Sequence, residues 1–68
     1  PKFNSALSER ELDVMKAFYE GLDETYIADK QCISIETVRT HKRNAFRRIS
    51  VHSLAEFFQY ARNNNLFQ

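Results

Sequence analysis

The sequence predicts an all-α domain of four short helices, and three observations predict it. A single Gly and a single Pro among 68 residues leave few sites for tight hairpins. Ser8, Asp23, Ser34 and Ser53 each stand just before a stretch that can run as a helix, where a side-chain oxygen can accept from the orphan N–H groups of the first turn. Between these caps the apolar residues recur at helical spacing, and an apolar content of 43% with nine aromatics supplies a compact core. A chain this short buries only about 60% of its unfolded surface, so the core is thin and leaves little room for a catalytic cleft.

Helix 1 opens at Ser8-Glu9-Arg10-Glu11, a capping box in which Ser8 and Glu11 satisfy each other's backbone N–H groups. Glu11, Val14, Met15 and Phe18 share its packed face, Leu7 can staple onto Leu12, and Gly21 ends the helix by supplying φ > 0. Leu22 is a core contact in the link. Asp23 caps helix 2, about Glu24 to Gln31, which carries Ile27 and Ala28 inward and places Glu24 at its positive end. Ser34 caps helix 3, its hydroxyl able to accept from Glu36 or Thr37, and that helix runs from Ile35 to about Ile49. At about 100° per residue, Val38, His41, Ala45 and Ile49 share one face, and Glu36, Arg39, Thr40, Arg43 and Arg47 the other. Ser53 caps helix 4 with Glu56 at the third helical position, the spacing of a second capping box, and Leu54, Phe57, Phe58 and Ala61 face inward. Asn65 is placed to turn left-handed so that Leu66 and Phe67 fold back. No repeat or linker interrupts this order, so residues 1–68 read as one domain. The start at Pro1 rather than Met suggests a unit of a longer protein.

The formal net charge of +1 conceals a segregation. From Pro1 to Asp29 three basic residues stand against seven acidic ones, whereas from Lys30 to Ala55 six basic residues stand against Glu36 alone. Clustered positive charge attracts phosphates and releases their counterions, so the second segment is expected to meet a polyanion.

Catalysis and metal binding find little support. No Ser/His/Asp or Cys/His constellation, Gly-rich phosphate loop or paired carboxylate set is present, so the chain is not expected to be an enzyme or to need a cofactor. His41 lies on the packed face and reads as a hydrogen-bonded structural histidine. His52 has no second ligand at metal spacing, which argues against zinc. Cys32, the single cysteine, is expected to fill a small apolar space in the turn, and a lone thiol suits a reducing, cytoplasmic setting. No run of about 18 apolar residues suggests a membrane span.

Ile27 to Arg48 is the informative stretch: a short helix, a tight turn, and a capped second helix with a basic outward face. That is the arrangement of a helix-turn-helix, whose second helix lies in the DNA major groove while the first crosses the backbone. Its carriers extend through the chain as Leu7-Ser8-x-Arg10-Glu11, Val14-Met15, Glu20-Gly21, Ile27-Ala28, Ile33-Ser34, Thr37-Val38-Arg39-x-His41, Asn44, Val51 and the Glu56/Ala61/Leu66 spacing. With these residues the chain resembles the LuxR/FixJ/GerE-type DNA-binding domain over Leu7 to Phe67. The sequence departs from that pattern at Gln31, where a buried Leu is usual, at Tyr26 for Glu, at Leu54 for Arg, and at Ser50 and Asn65 for glycines.

The resemblance implies a cytoplasmic bacterial transcription regulator, with a receiver or ligand-sensing domain preceding this one, that binds promoter DNA as a dimer and has RNA polymerase as a further partner. Carried over by position, the base-reading residues fall on Arg39, Thr40 and Arg43, with Glu36 able to accept from cytosine. Phosphate contacts are expected from Lys30, Ser34, Thr37, Asn44 and Arg47, and from Lys42 if its stem snorkels off the packed side. Helix 4 is the expected dimer contact, through Gln59 and Arg62. The competing reading is a helical protein-interaction module that keeps the fold without DNA binding; a region-4-type sigma-factor domain is a third, disfavoured by the fourth-helix segment from Val51 to Phe67.

Overall fold

A computed structural model describes residues 7–67, which form four helices in the order α1 Glu9–Tyr19, α2 Glu24–Gln31, α3 Ile35–Ile49 and α4 Leu54–Asn63. Each begins at the side chain expected to cap it: Ser8 accepts from Glu11 N–H, Asp23 from Tyr26, Ser34 from Thr37 and Ser53 from Glu56. The box at α1 is reciprocal, with Ser8 N–H donating to Glu11 Oε1 at 3.1 Å. The box expected at α4 is not. Glu56 Oε1 instead accepts from His52 N–H at 2.8 Å, one residue before the cap. Ser53 is extended at φ −157° where Ser8 is at −72°, so the peptide entering α4 is turned and its neighbour's N–H meets the carboxylate.

All four helices end by one device. A residue with positive φ donates to the carbonyl three residues back, and the next N–H reaches five residues back. Gly21 and Leu22 bond to Phe18 and Ala17, Cys32 and Ile33 to Asp29 and Ala28, Ser50 and Val51 to Arg47 and Phe46, and Asn65 and Leu66 to Arg62 and Ala61. Only the first of the turning residues is Gly; Cys32, Ser50 and Asn65 sit at φ 58°, 59° and 51°. The following residue is always apolar, and Leu22, Ile33, Val51 and Leu66 all plug into or against the core. Cys32 therefore serves the backbone of the turn and is exposed, rather than filling an apolar space.

The core is built from Val14, Met15 and Phe18 of α1, Ile27 and Ala28 of α2, Val38 and Ala45 of α3, and Phe57 and Ala61 of α4. Phe57 is its largest fully buried side chain and lies 6.1 Å, ring to ring, from Phe67, which folds back as expected. Tyr19 closes this end, edge-on to Phe58 at 5.8 Å. α3 packs against both α1 and α2, yet only Val38 and Ala45 of its fifteen residues are buried. His41 and Ile49 are half-buried on the packed side, and His41 makes no side-chain hydrogen bond with the other described residues, unlike the bonded histidine expected there. Phe46, which the helical wheel left unplaced, is also half-buried against the core.

One ion pair ties the ends of two helices together. The Glu11 carboxylate, in a residue only 3% exposed, meets Arg48 Nε at 3.3 Å, so the start of α1 is clamped to the end of α3. None of the described helices is long and apolar enough to cross a membrane.

Candidate nucleic-acid interface

α3 presents its cations because its cap and its packing leave them nowhere else to go. Ser34 Oγ accepts Thr37 N–H at 3.0 Å and lies 2.9 Å from Thr37 Oγ1, which fixes the first turn. Val38 and Ala45 anchor the inner face, and Glu36, Arg39, Arg43 and Arg47 are exposed on the outer one, with Thr40 half-exposed between them. The four outer side chains and Thr40 thus share one face, as the sequence predicts. A helix of fifteen residues is about 22 Å long. A B-DNA major groove is about 12 Å wide and 8.5 Å deep, so it admits such a helix.

Beside this face runs an open groove of about 900 Å³. Arg39, Lys42, Arg43 and Arg47 form its basic wall, Phe46 and Val51 its apolar floor, and Ser50 and His52 its end. Arg47 Nη2 donates to Asn44 Oδ1 at 2.6 Å, which steadies that guanidinium along the helix. The groove also contains one acid that the sequence reading assigned only to a helix terminus. Glu24, at the start of α2, reaches across to α3: Oε1 accepts from Arg39 Nε at 3.1 Å and lies 3.1 Å from its Nη2, while Oε2 is 3.4 Å from Lys42 Nζ. The partners are 15 and 18 residues away in the chain, so no helical spacing rule reveals the contact.

Burial raises the Glu24 carboxyl, but the hydrogen bonds and charges of Arg39, then Lys42, outweigh it and hold the group below its ordinary value. Lys42 is half-buried, with its ammonium 5.5 Å from the Phe18 ring centre as well as beside Glu24. Its stem does run along the packed side, and its head emerges into the groove.

Lys30 is not brought into this cluster. Its ammonium stands 6.0 Å from the Tyr26 ring centre, and it lines a separate hollow between α1 and α2 with Asp13, Lys16, Glu20 and Gln31. Gln31, which stands where the resemblance expects a buried Leu, is half-buried at that hollow, away from the α3 face. Gln59 and Arg62 lie exposed on α4.

Residues 5–61 match the family of bacterial regulatory proteins of the luxR type. The chain is 36% identical over 58 residues to the fimbriae Z protein of Escherichia coli K12, an alignment covering 85% of this chain and 28% of that protein. It is 37% identical over 62 residues to BvgA of Bordetella pertussis, covering 91% of this chain and 30% of the relative. Over 61 residues it is 33% identical to the DNA-binding transcriptional activator EvgA of Escherichia coli K12, covering 90% and 30%. The chain thus spans less than a third of the length of these relatives. No solved structure matches it significantly.

Proposed function

Because the chain belongs to the luxR family of bacterial regulatory proteins, we propose that it is the DNA-binding part of a transcription regulator and that α3 enters the major groove. The observation that carries the reading is the single outer face of α3, on which Arg39, Arg43 and Arg47 are exposed beside an open groove.

In this reading Arg39 and Arg43 donate to guanine O6 and N7, Thr40 meets a thymine methyl or a base edge, and Glu36 accepts from cytosine N4. Ser34 and Thr37 bring the positive start of α3 to one phosphate, Asn44 and Arg47 reach others along its flank, and Lys42 joins them where it leaves Glu24. Lys30 meets the backbone from the other side of the turn. Two copies read half-sites about one DNA turn apart, with α4 as the contact and Gln59 and Arg62 on its exposed face. Control of that pairing belongs to the remainder of the regulator.

The test is a fluorescence-anisotropy titration of the domain with a random duplex at two salt concentrations, repeated with Arg39→Ala/Arg43→Ala. A steep fall of affinity with salt and a loss in the double variant are expected. Silence at low salt, for the domain and for an artificially dimerised form, would instead favour the protein-interaction module.

A further inference from the structure

Glu24 is an acid placed among the groups that are meant to meet an anion. Its two carboxylate oxygens are divided between two different cations of α3, Arg39 at 3.1 Å and Lys42 at 3.4 Å. The carboxylate is about one-quarter exposed, and Arg39 remains 53% exposed, so the arginine is tethered without being covered. Glu24 also adds its negative charge, beside that of the capping Asp23, to the first turn of α2, where the helix's positive end would otherwise attract a phosphate. Any duplex that approaches α3 must therefore either accept a carboxylate in the groove or draw two cations away from it.

We propose that Glu24 is a specificity-determining counter-charge: it competes with phosphates for Arg39 and Lys42, while the exposed side of the Arg39 guanidinium stays free to meet a base edge. This rests on the reading of α3 as the DNA-contacting helix. Phosphates are present on every sequence, so a device that withholds cations from them penalises random DNA more than a cognate site. A guanine edge can take two hydrogen bonds from the Arg39 N–H groups that the carboxylate leaves free, whereas a phosphate must compete with Glu24, charge for charge, for both cations.

The experiment measures binding of wild type, Glu24→Gln, Asp13→Asn and Arg43→Ala to a random duplex and to a duplex selected by the wild-type domain from a random pool, across a salt series. Asp13→Asn removes the same charge in the hollow away from α3. Glu24→Gln is expected to tighten random-duplex binding roughly 2- to 30-fold, the range set by two exposed ion pairs. It should also steepen the log–log salt slope by about 1.8 as two cations become available to phosphate. Binding to the selected duplex should change less, so discrimination falls, while Asp13→Asn leaves both nearly unchanged. In an Arg39→Ala/Lys42→Ala background, Glu24→Gln should lose its effect.

If Glu24→Gln behaves as Asp13→Asn does, or tightens both duplexes equally, the counter-charge role is wrong while DNA binding by α3 stands. If wild type binds neither duplex, or Arg43→Ala has no effect, the reading of α3 itself fails and this proposal with it. Thermal unfolding of each variant separates these outcomes from loss of fold.

Discussion

Glu11 and Arg48 stand 37 residues apart in sequence and 3.3 Å apart in the fold, and the carboxylate that joins them is the one buried charge among the described residues. The same oxygen accepts Ser8 N–H, so one group caps α1 and fastens it to the end of α3. Removing Arg48 strips a charge-assisted partner from a buried carboxylate, a change that typically costs about 1–3 kcal/mol. Arg48→Ala should lower stability in that range in urea titrations, and Glu11→Ala by at least as much. A double-mutant cycle should return a coupling near 1 kcal/mol, that is, about 1 kcal/mol as expected for a half-exposed pair. Strict additivity would mean that the contact does not hold α1 to α3.

The left-handed turns give a second prediction with both signs. Ser50 and Cys32 bear a Cβ in a conformation that disfavours one by roughly 1–2 kcal/mol, partly offset by the greater chain entropy that Gly loses on folding. Ser50→Gly and Cys32→Gly should therefore each stabilise by about 0.5–1 kcal/mol. Gly21→Ala should destabilise by about 1 kcal/mol or more, wholly through its φ of +92°, since a Cβ there meets no atom within 4 Å. Denaturant midpoints for the three variants check all of this together. A stabilising Gly21→Ala would contradict the geometry.

On the DNA face, base contacts and phosphate contacts predict different failures. Arg43→Ala is expected to cost about 1–3 kcal/mol on a selected site and to relax preference at one base position. Arg47→Ala and Lys30→Ala should instead weaken all duplexes alike and lower the salt slope by about 1 each. Competition binding against single-position variants of the selected site distinguishes the two patterns. Equal losses on cognate and random DNA for Arg43→Ala would remove it from the reading set.

Glu24 makes stability depend on pH in one direction. Its carboxyl lies below the ordinary value of 4.5 in the folded chain, so its contribution is fully present above that value and is lost as pH falls through the depressed one. The urea midpoints of wild type and Glu24→Gln should differ at neutral pH and converge as acidification protonates the carboxylate. A gap that widens on acidification would have the wrong sign.

Much of this architecture is legible in the residues because it is local. All four helix starts follow from Ser or Asp at a cap, and the inward faces of α1 and α4 follow from period alone. Two of the four left-handed turns, at Gly21 and Asn65, are visible because those residue types tolerate positive φ; Cys32 and Ser50 announce nothing of the kind. The resemblance to a pattern with glycine at the position of Ser50 was the available signal. The ion pairs of Glu11 with Arg48 and of Glu24 with Arg39 and Lys42 are absent from any wheel, because tertiary packing alone brings those helices together. Lys30 shows the converse: its place in the basic segment suggests membership of the α3 cluster, and the fold directs it to the hollow between α1 and α2.

The repeated helix ending has a kinetic consequence. The first three endings write stop, plug and restart within seven or eight consecutive residues, from the carbonyl that receives the last bond to the cap of the next helix. Closing such short loops takes on the order of 10–100 ns, and helices propagate on a similar scale, so the corners can form before the core does. The slower step is the docking of α1 onto α3, and helical domains of this kind complete it in microseconds to milliseconds. Refolding after a denaturant jump should therefore be a single fast phase, slowed by truncating the buried Val14 or Val38 and, because the corner is closed before α1 docks, speeded by the stabilising Ser50→Gly.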